Sequence, residues 1–425
     1  RQGGRLFELN QFYDVFYRPD LVRRALAGED IGPLSGESLA GVLKSPPPSL
    51  AVSLLPANAS AARREIEVVA HGVGGGIGDI RVFHNGKLVH ADAARVGRIS
   101  AMAGLAAVST EVVTRNLVAQ VKSSPVARSP AKAGPQRLKL SITAVPGENI
   151  VTAVAFNGDN SARSRVSRAS FTSTATAAPP RVFALAIGIN QFRGAADDNL
   201  VYAAVDARDM SSWYSRVAAR LQLGLPQPPV MLLNRAATKA GIAAAIARIA
   251  REARPQDALL LFVSTHGVFV DNTYALVTHE YDGTLQNRNL ITTGELLDQL
   301  KAVAAQRQLL VLDTCHSGGF DNNLAALYDA RLSVWARNMG IHVFASAGAR
   351  QGAIDGYRGN GLFTHVLLRA LGSREADSNG DLTLWVSELG AYGRENTAKI
   401  AASLNQNQVP TIMRFGNDFP LVRLN

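Results

Sequence analysis

The chain has 425 residues, of which 47% are hydrophobic, 18% charged and 6% aromatic, with a net charge of +10. That length is too great for one ordinary domain, and two or three are expected. The longest apolar runs, such as Ala258 to Val263, are too short to cross a bilayer, which argues against a membrane protein.

The positive charge is uneven. Residues 1–180 carry 21 Lys and Arg against 13 Asp and Glu. The basic residues are scattered and not interleaved with aromatics, so a nucleic-acid partner is not expected. The first residues, RQGGRLFELNQFYD, lack the apolar stretch of a signal peptide. The chain opens on Arg, so an upstream part is expected to be missing. Cys315 is the one cysteine, which excludes an internal disulfide and fits a reducing, cytoplasmic compartment. A lone cysteine is more often a small core residue than a nucleophile, so its surroundings must decide.

In chain order, residues 1–47 hold a short helical signal, RPDLVRRALAGED, and the Pro-rich joint Lys44-Ser-Pro-Pro-Pro-Ser49, a stiff connector. Residues 48–176 are predicted as a β-sandwich, immunoglobulin-like in organisation. SLAVSLL and REIEVVAH alternate apolar and polar residues, and IRVFHNGKLVH carries Asn85-Gly86 between two such runs, a strong hairpin signal. LKLSITAV and NIVTAVAFN are further strands, joined at Pro146-Gly147. A long insertion is expected from about Ala93 to Lys122, followed by a flexible stretch, SSPVARSPAKAGPQR. Val73-Gly-Gly-Gly-Ile-Gly-Asp79 runs into a strand and not a helix, so it reads as a flexible turn, not a phosphate loop. The linker SFTSTATAAPP ends at Pro180, with the boundary placed at 177–180.

From Arg181 to the end the pattern becomes α/β. VFALAIGI, PVMLL, DALLLFVS, QLLVLDTC and IHVFASA are apolar strands, and amphipathic helices lie between and after them. This alternation predicts a mostly parallel sheet flanked by helices. Ligands bind such sheets at the carboxyl ends of strands, where His266 and Cys315 both fall.

A cysteine attacks as thiolate and needs a base beside it. An imidazole supplies that base and later protonates a leaving amine, as acyl transfer requires. Backbone amides of Gly267 and Cys315 are the candidate donors to a tetrahedral oxyanion, and Gly318-Gly319 allows a sharp turn beside a substrate. His316 points away from Cys315 on an extended segment and reads as structural. His71-Gly72 mimics His266-Gly267 but lies in the β region. His279, His342 and His365 carry no motif.

ALAIGIN, LVYAAVDARDM, LFVSTHG and LVLDTCHSGGF, in that order, resemble the caspase–metacaspase family of cysteine proteases (peptidase family C14). IHVFASAGARQGA and GNGLFTHVLLRAL resemble its small-subunit part, and the likeness covers about residues 181–421. His266 and Cys315 are 49 residues apart, near the roughly 50 typical of caspases. The motif D-T-C-H-S-G is similar to that of metacaspases and bacterial orthocaspases. The resemblance implies a Cys315–His266 dyad and a pocket holding Asp206 and Asp313, suited to Arg or Lys in peptide or protein substrates. It places Ser346 near the substrate cleft and any self-cleavage near Arg331 or Arg337. No cofactor is implied. The acid pair of calcium-dependent metacaspases is missing, since Thr292-Thr-Gly-Glu295 stands there. Asp377-Ser-Asn-Gly-Asp381 with Glu388 partly matches a calcium loop but has Leu382 where glycine belongs, so it reads as a turn. The β region resembles the sandwich preceding some bacterial caspase-like domains, and a regulatory partner could bind there. The runner-up reading is a dormant caspase-fold scaffold that signals by binding.

Overall fold

The computed structural model describes residues 6–12, 16, 22, 25, 26, 28, 39–91, 112, 113, 118, 119, 134–270, 273–316, 336, 337, 339–347 and 353–425. They fall into two compact units, residues 1–109 with 122–178, and residues 110–121 with 179–425. The predicted helix at RPDLVRRALAGED and most of the predicted insertion lie outside the described residues.

The first unit holds two antiparallel sheets. One orders β1 (Ser49–Leu54), β2 (Arg63–His71) and β5 (Gln136–Thr143) side by side; the other orders β4 (Lys87–His90), β3 (Ile80–His84), β6 (Gly147–Ala155) and β7 (Ser167–Ser173). Ile66, Val68, Ala70 and Ile142 from the first sheet meet Val82, Val151, Ala153 and Ala155 from the second in a shared core. Asn85 and Gly86 both have positive φ, 48° and 84°, as the predicted two-residue hairpin requires.

Three local readings change. SRASFTS pairs with β6 as strand β7, so the linker starts later than the sequence suggests; its small polar residues alternate as an exposed edge does. Residues 6–12 pack on the sandwich: Phe12 clusters with Phe7, Leu43 and Ala162. Of the glycines of 73–79, Gly74 and Gly76 take positive φ, 96° and 69°, as a turn uses, while Gly75 and Gly78 serve close packing. A Cβ on Gly75 would lie 2.8 Å from the Pro46 carbonyl oxygen, and one on Gly78 only 2.2 Å from that of Asn157.

In the second unit the described residues form a nine-stranded, mostly parallel sheet. β9 (Val230–Leu233), β8 (Arg181–Gly188), β10 (Ala258–Val270), β13 (Arg307–His316) and β14 (His342–Ala345) run parallel, and β18 (Thr411–Arg414) closes one edge antiparallel. β11 (Thr273–Val277) and β12 (Leu290–Thr292) extend the far end of β10 antiparallel, and the ninth strand, Leu225–Pro226, pairs parallel with the start of β8. β10 therefore continues four residues past His266 instead of stopping there. Helices α1 (Ala203–Val217), α2 (Lys239–Glu252), α3 (Thr293–Ala302), α4 (Leu362–Gly372) and α5 (Val386–Ser403) match the predicted helical segments. The strands are apolar without alternation because both faces are covered. Val182, Phe262, Val311 and Phe344 meet Trp213 and Tyr214 of α1, Phe363 and Leu367 of α4, and Leu389 of α5. Two short pairs lie off the main sheet: β15 (Asp355–Tyr357) with β16 (Asn360–Gly361), and β17 (Thr383–Trp385) with β19 (Pro420–Arg423). No helix among the described residues is long and apolar enough to cross a membrane.

Candidate active site

β10 and β13 are neighbours in the centre of the sheet. Their register pairs Ser264 with Asp313, Thr265 with Thr314, His266 with Cys315 and Gly267 with His316. The outer partners stop earlier, β8 at Gly188 opposite Ser264 and β14 at Ala345 opposite Leu312. His266 and Cys315 thus stand side by side at the carboxyl edge, where an α/β sheet opens to ligands. The 49 residues between them matter little; the ladder brings their backbones together.

His266 is 9% exposed. Its Nε2 lies 2.6 Å from the Asp198 carbonyl oxygen. A carbonyl only accepts, so Nε2 carries the hydrogen, and in the neutral ring Nδ1 holds the lone pair. Nδ1 is buried and has no hydrogen-bond partner among the described residues. Phe192 stacks on the ring at 5.2 Å and 22°, and Tyr281 packs edge-on against Phe192. Burial lowers the imidazole pKa, with the Asp198 carbonyl hydrogen bond and the charges of Asp198 and Asp355 opposing it. The ring is held neutral, oriented and ready to accept a proton.

Gly267 has a different neighbour from the one the sequence suggests. A Cβ there would fall 2.0 Å from the Tyr274 hydroxyl, which donates to Thr314 Oγ1 at 2.7 Å. The missing side chain makes room for a tyrosine crossing between the two strands, not for a substrate.

The two acids come together. Asp206 lies in the first turn of α1 and Asp313 two residues before Cys315; both are buried. They converge on Gly361, where a Cβ would sit 3.1 Å from Oδ2 of each. The Gly361 amide donates to Asp206 Oδ1 at 3.0 Å. The Thr364 amide donates to Asp313 Oδ2 at 3.2 Å, as does the Thr364 hydroxyl. Burial first, and the Asp313 charge second, push the Asp206 carboxyl up to about 8. Burial likewise raises Asp313, against hydrogen bonds from Thr364 and Ser346. Ser346 is buried beside them: its amide donates to Leu312 O at 2.9 Å, and its own carbonyl accepts from Gln408 Nε2 at 2.8 Å.

The remaining candidates separate from this cluster. Arg331 and Gly318-Gly319 lie outside the described residues, as do the side chains of Cys315 and His316; Arg337 is half-buried in a helical turn. His71 is exposed at the end of β2, in the other unit. His279 bonds the Gln191 carbonyl and His342 that of Asn417, while His365 packs against Tyr357. The sequence did not disclose Asp198, Phe192, Tyr274, Gly361 or Thr364. The Gly-Asn-Gly of GNGLFTHV was the available signal for the last two.

The two calcium-related segments are tied up internally. Thr292 and Glu295 form a capping box at the start of α3, and Glu295 pairs with Lys239 at 2.6 Å. Asp377 accepts from the amides of Gly380, Asp381 and Leu382, and Glu388 from those of Ser378, Asn379 and Trp385. Leu382 takes the φ of 62° that glycine would favour. Among the described residues no group of three or more His, Cys, Asp or Glu is arranged to hold a metal ion. If the chain cleaves the peptides its motifs imply, stripping with a chelator is expected to leave that rate within about twofold, because these carboxylates already serve capping roles. Loss of the rate with a chelator, and its return with calcium, would refute this.

Comparison with known proteins gives one match over most of the second unit. The sequence model of the Peptidase C14 family, described as a caspase domain, matches residues 181–418. No curated protein matches the chain. Among solved structures, protein GSU0716 from Geobacter sulfurreducens is 19% identical, covering 55% of this chain and 93% of its own, with a TM-score of 0.37. A family 28 exopolygalacturonase from Yersinia enterocolitica is 10% identical, covering 63% and 32%, with a TM-score of 0.16. These two likenesses are too loose to carry an argument.

Proposed function

The chain belongs to the Peptidase C14 family, with a caspase domain at residues 181–418, and from that premise we propose that it is a cysteine endopeptidase of the metacaspase type, cutting after Arg or Lys. The observation that carries the proposal is the pairing of His266 with Cys315 on adjacent parallel strands, with a buried Nδ1 on the histidine that has no partner among the described residues.

In this reading, Nδ1 of His266 takes the Cys315 thiol proton while Nε2 stays bonded to the Asp198 carbonyl. The thiolate adds to the scissile carbonyl, and the amides of Gly267 and Cys315 receive the oxyanion. Nδ1–H then protonates the departing amine, leaving an acyl-enzyme that water opens with His266 again as base. Protons and an acyl group are all that move, so no cofactor is required. The convergence of Asp206 and Asp313 supports a cationic side chain before the cut. A fluorogenic peptide series differing only at that residue tests the proposal. Turnover of Arg and Lys peptides that stops in Cys315→Ala is expected. An unmodified Cys315 after exposure to a basic peptidyl chloromethyl ketone would favour a dormant scaffold.

Self-processing follows as a second expectation. The segment between β13 and β14 contains Arg331 and Arg337. Mass analysis of incubated wild type should show a cut after one of them that Cys315→Ala lacks. An uncut wild type that is active on peptides would remove processing as a requirement.

A further inference from the structure

The hairpin of β15 and β16 stands off the main sheet, and its register places Asp355 opposite Gly361. Gly361 is the residue on which Asp206 and Asp313 converge. Asp355 is thus the next acid across the hairpin from that point. Unlike the two buried acids, it is exposed, which puts it on the water side of the cluster.

Its carboxylate has a second attachment. Oδ2 accepts from the Val201 amide at 3.1 Å. Val201 lies three residues after Asp198, whose carbonyl receives Nε2–H of His266. The same segment is fixed by Asn190, whose Nδ2 donates to the Val201 carbonyl at 2.6 Å and whose Oδ1 accepts from the Ala204 amide at 2.5 Å. Gly356, with φ 133°, brings the hairpin close to it, since a Cβ there would lie 2.9 Å from the Tyr202 ring. One side chain therefore joins the edge of the acidic pocket to the segment that orients the base.

We infer that Asp355 is a further specificity-determining residue, a third carboxylate on the pocket rim that meets a substrate's basic side chain and, through the Val201 amide, steadies the segment anchoring His266. The inference rests on the proposed Arg/Lys reading of the pocket. Its charge is felt at all three sites, raising the pKa of Asp206, Asp313 and His266 alike. A guanidinium carries five N–H donors in one plane. Asp206 Oδ1 and Asp313 Oδ2 already accept from Gly361 and Thr364, so an acid at the rim adds to the acceptors the inner pair has left. Arg reaches such a spread of acceptors better than the single ammonium of Lys.

Asn and Ala separate the two roles. Asp355→Asn removes the charge but retains an acceptor for the Val201 amide. It should raise KM for Arg peptides about three- to tenfold, as for a partly exposed charge pair, with the larger part of its loss in KM and a smaller preference of Arg over Lys. Asp355→Ala should show the same KM change and a further several-fold fall in kcat. Unchanged KM in Asp355→Asn would overturn the rim role, and equal kcat in the two variants would overturn the anchoring role. Agmatine binding, measured by calorimetry on Cys315→Ala with and without Asp355→Asn, reads the rim without any turnover. A protein that binds agmatine through Asp355 but cleaves nothing would fail as a protease and leave the rim assignment standing. Equal agmatine affinity in both would remove that assignment even in an active protease.

Discussion

Replacing Cys315 with alanine is expected to abolish peptide cleavage, a loss of roughly four to six orders of magnitude in kcat, and His266→Ala at least three. The two backbones are fixed by one ladder, His266 opposite Cys315. The imidazole is held by the Asp198 carbonyl and the Phe192 ring, neither of which depends on the cysteine side chain. The fold should therefore survive both substitutions, and circular dichroism and thermal unfolding should match wild type. Removing either member of a coupled nucleophile and base leaves only what binding and the oxyanion donors contribute. Steady-state kinetics on an Arg peptide checks this, and measurable turnover in well-folded Cys315→Ala would end the assignment.

The second large effect concerns selection before the cut. Peptides with Arg, then Lys, should be cleaved and those with Asp left intact, because an aspartate would face two buried carboxyls. Asp313→Ala should cost about 2–5 kcal/mol of transition-state binding with an Arg peptide, as for a desolvated charge pair broken on one side. The pH dependence adds an independent check. Burial and Asp313 push the Asp206 carboxyl up to about 8, so the empty pocket holds a proton at neutral pH. A guanidinium favours the ionised form and must displace that proton. Binding of Arg peptides should therefore strengthen as pH rises, by up to about tenfold per unit, and level off above about 8. For the empty protein the sign is opposite. A folded-state pKa above the unfolded one gives stability that is complete below the ordinary carboxylate range and is lost as pH rises through about 8. Asp206→Asn should flatten both trends. A preference for Asp peptides, or an Arg preference unchanged in both Asp313→Ala and Asp206→Asn, would overturn the pocket.

Much of this arrangement was legible in the residues. Unbroken apolar strands announced a parallel sheet covered on both faces, and Asn85-Gly86 announced the hairpin, because both residues tolerate the positive φ its turn requires. Asp206 and Asp313 could be named from motifs, yet their meeting point at Gly361, 48 residues beyond Asp313, has no local signature. Asp198 was hidden for another reason: its carbonyl does the work, and every residue has one. Gly75 and Gly78 were misread because a glycine that admits a neighbour looks the same in sequence as one that bends. The polar strand Ser167–Ser173 passed for a linker since an exposed edge needs no apolar face.

The separation between ladder and hairpin also bears on how such a molecule can diverge. The nucleophile and base proposed here occupy the two central strands, where a shift of register would misplace both at once. Asp355, Asn360 and Gly361 belong to a two-stranded appendage outside that sheet. Mutations there leave the ladder of His266 and Cys315 in place, but at Asp355 they also reach the segment that anchors His266. The proposed preference for basic residues rests on Asp313 in the sheet and Asp206 on α1 as well as on the hairpin, so changes confined to its seven residues would grade that preference and not replace it.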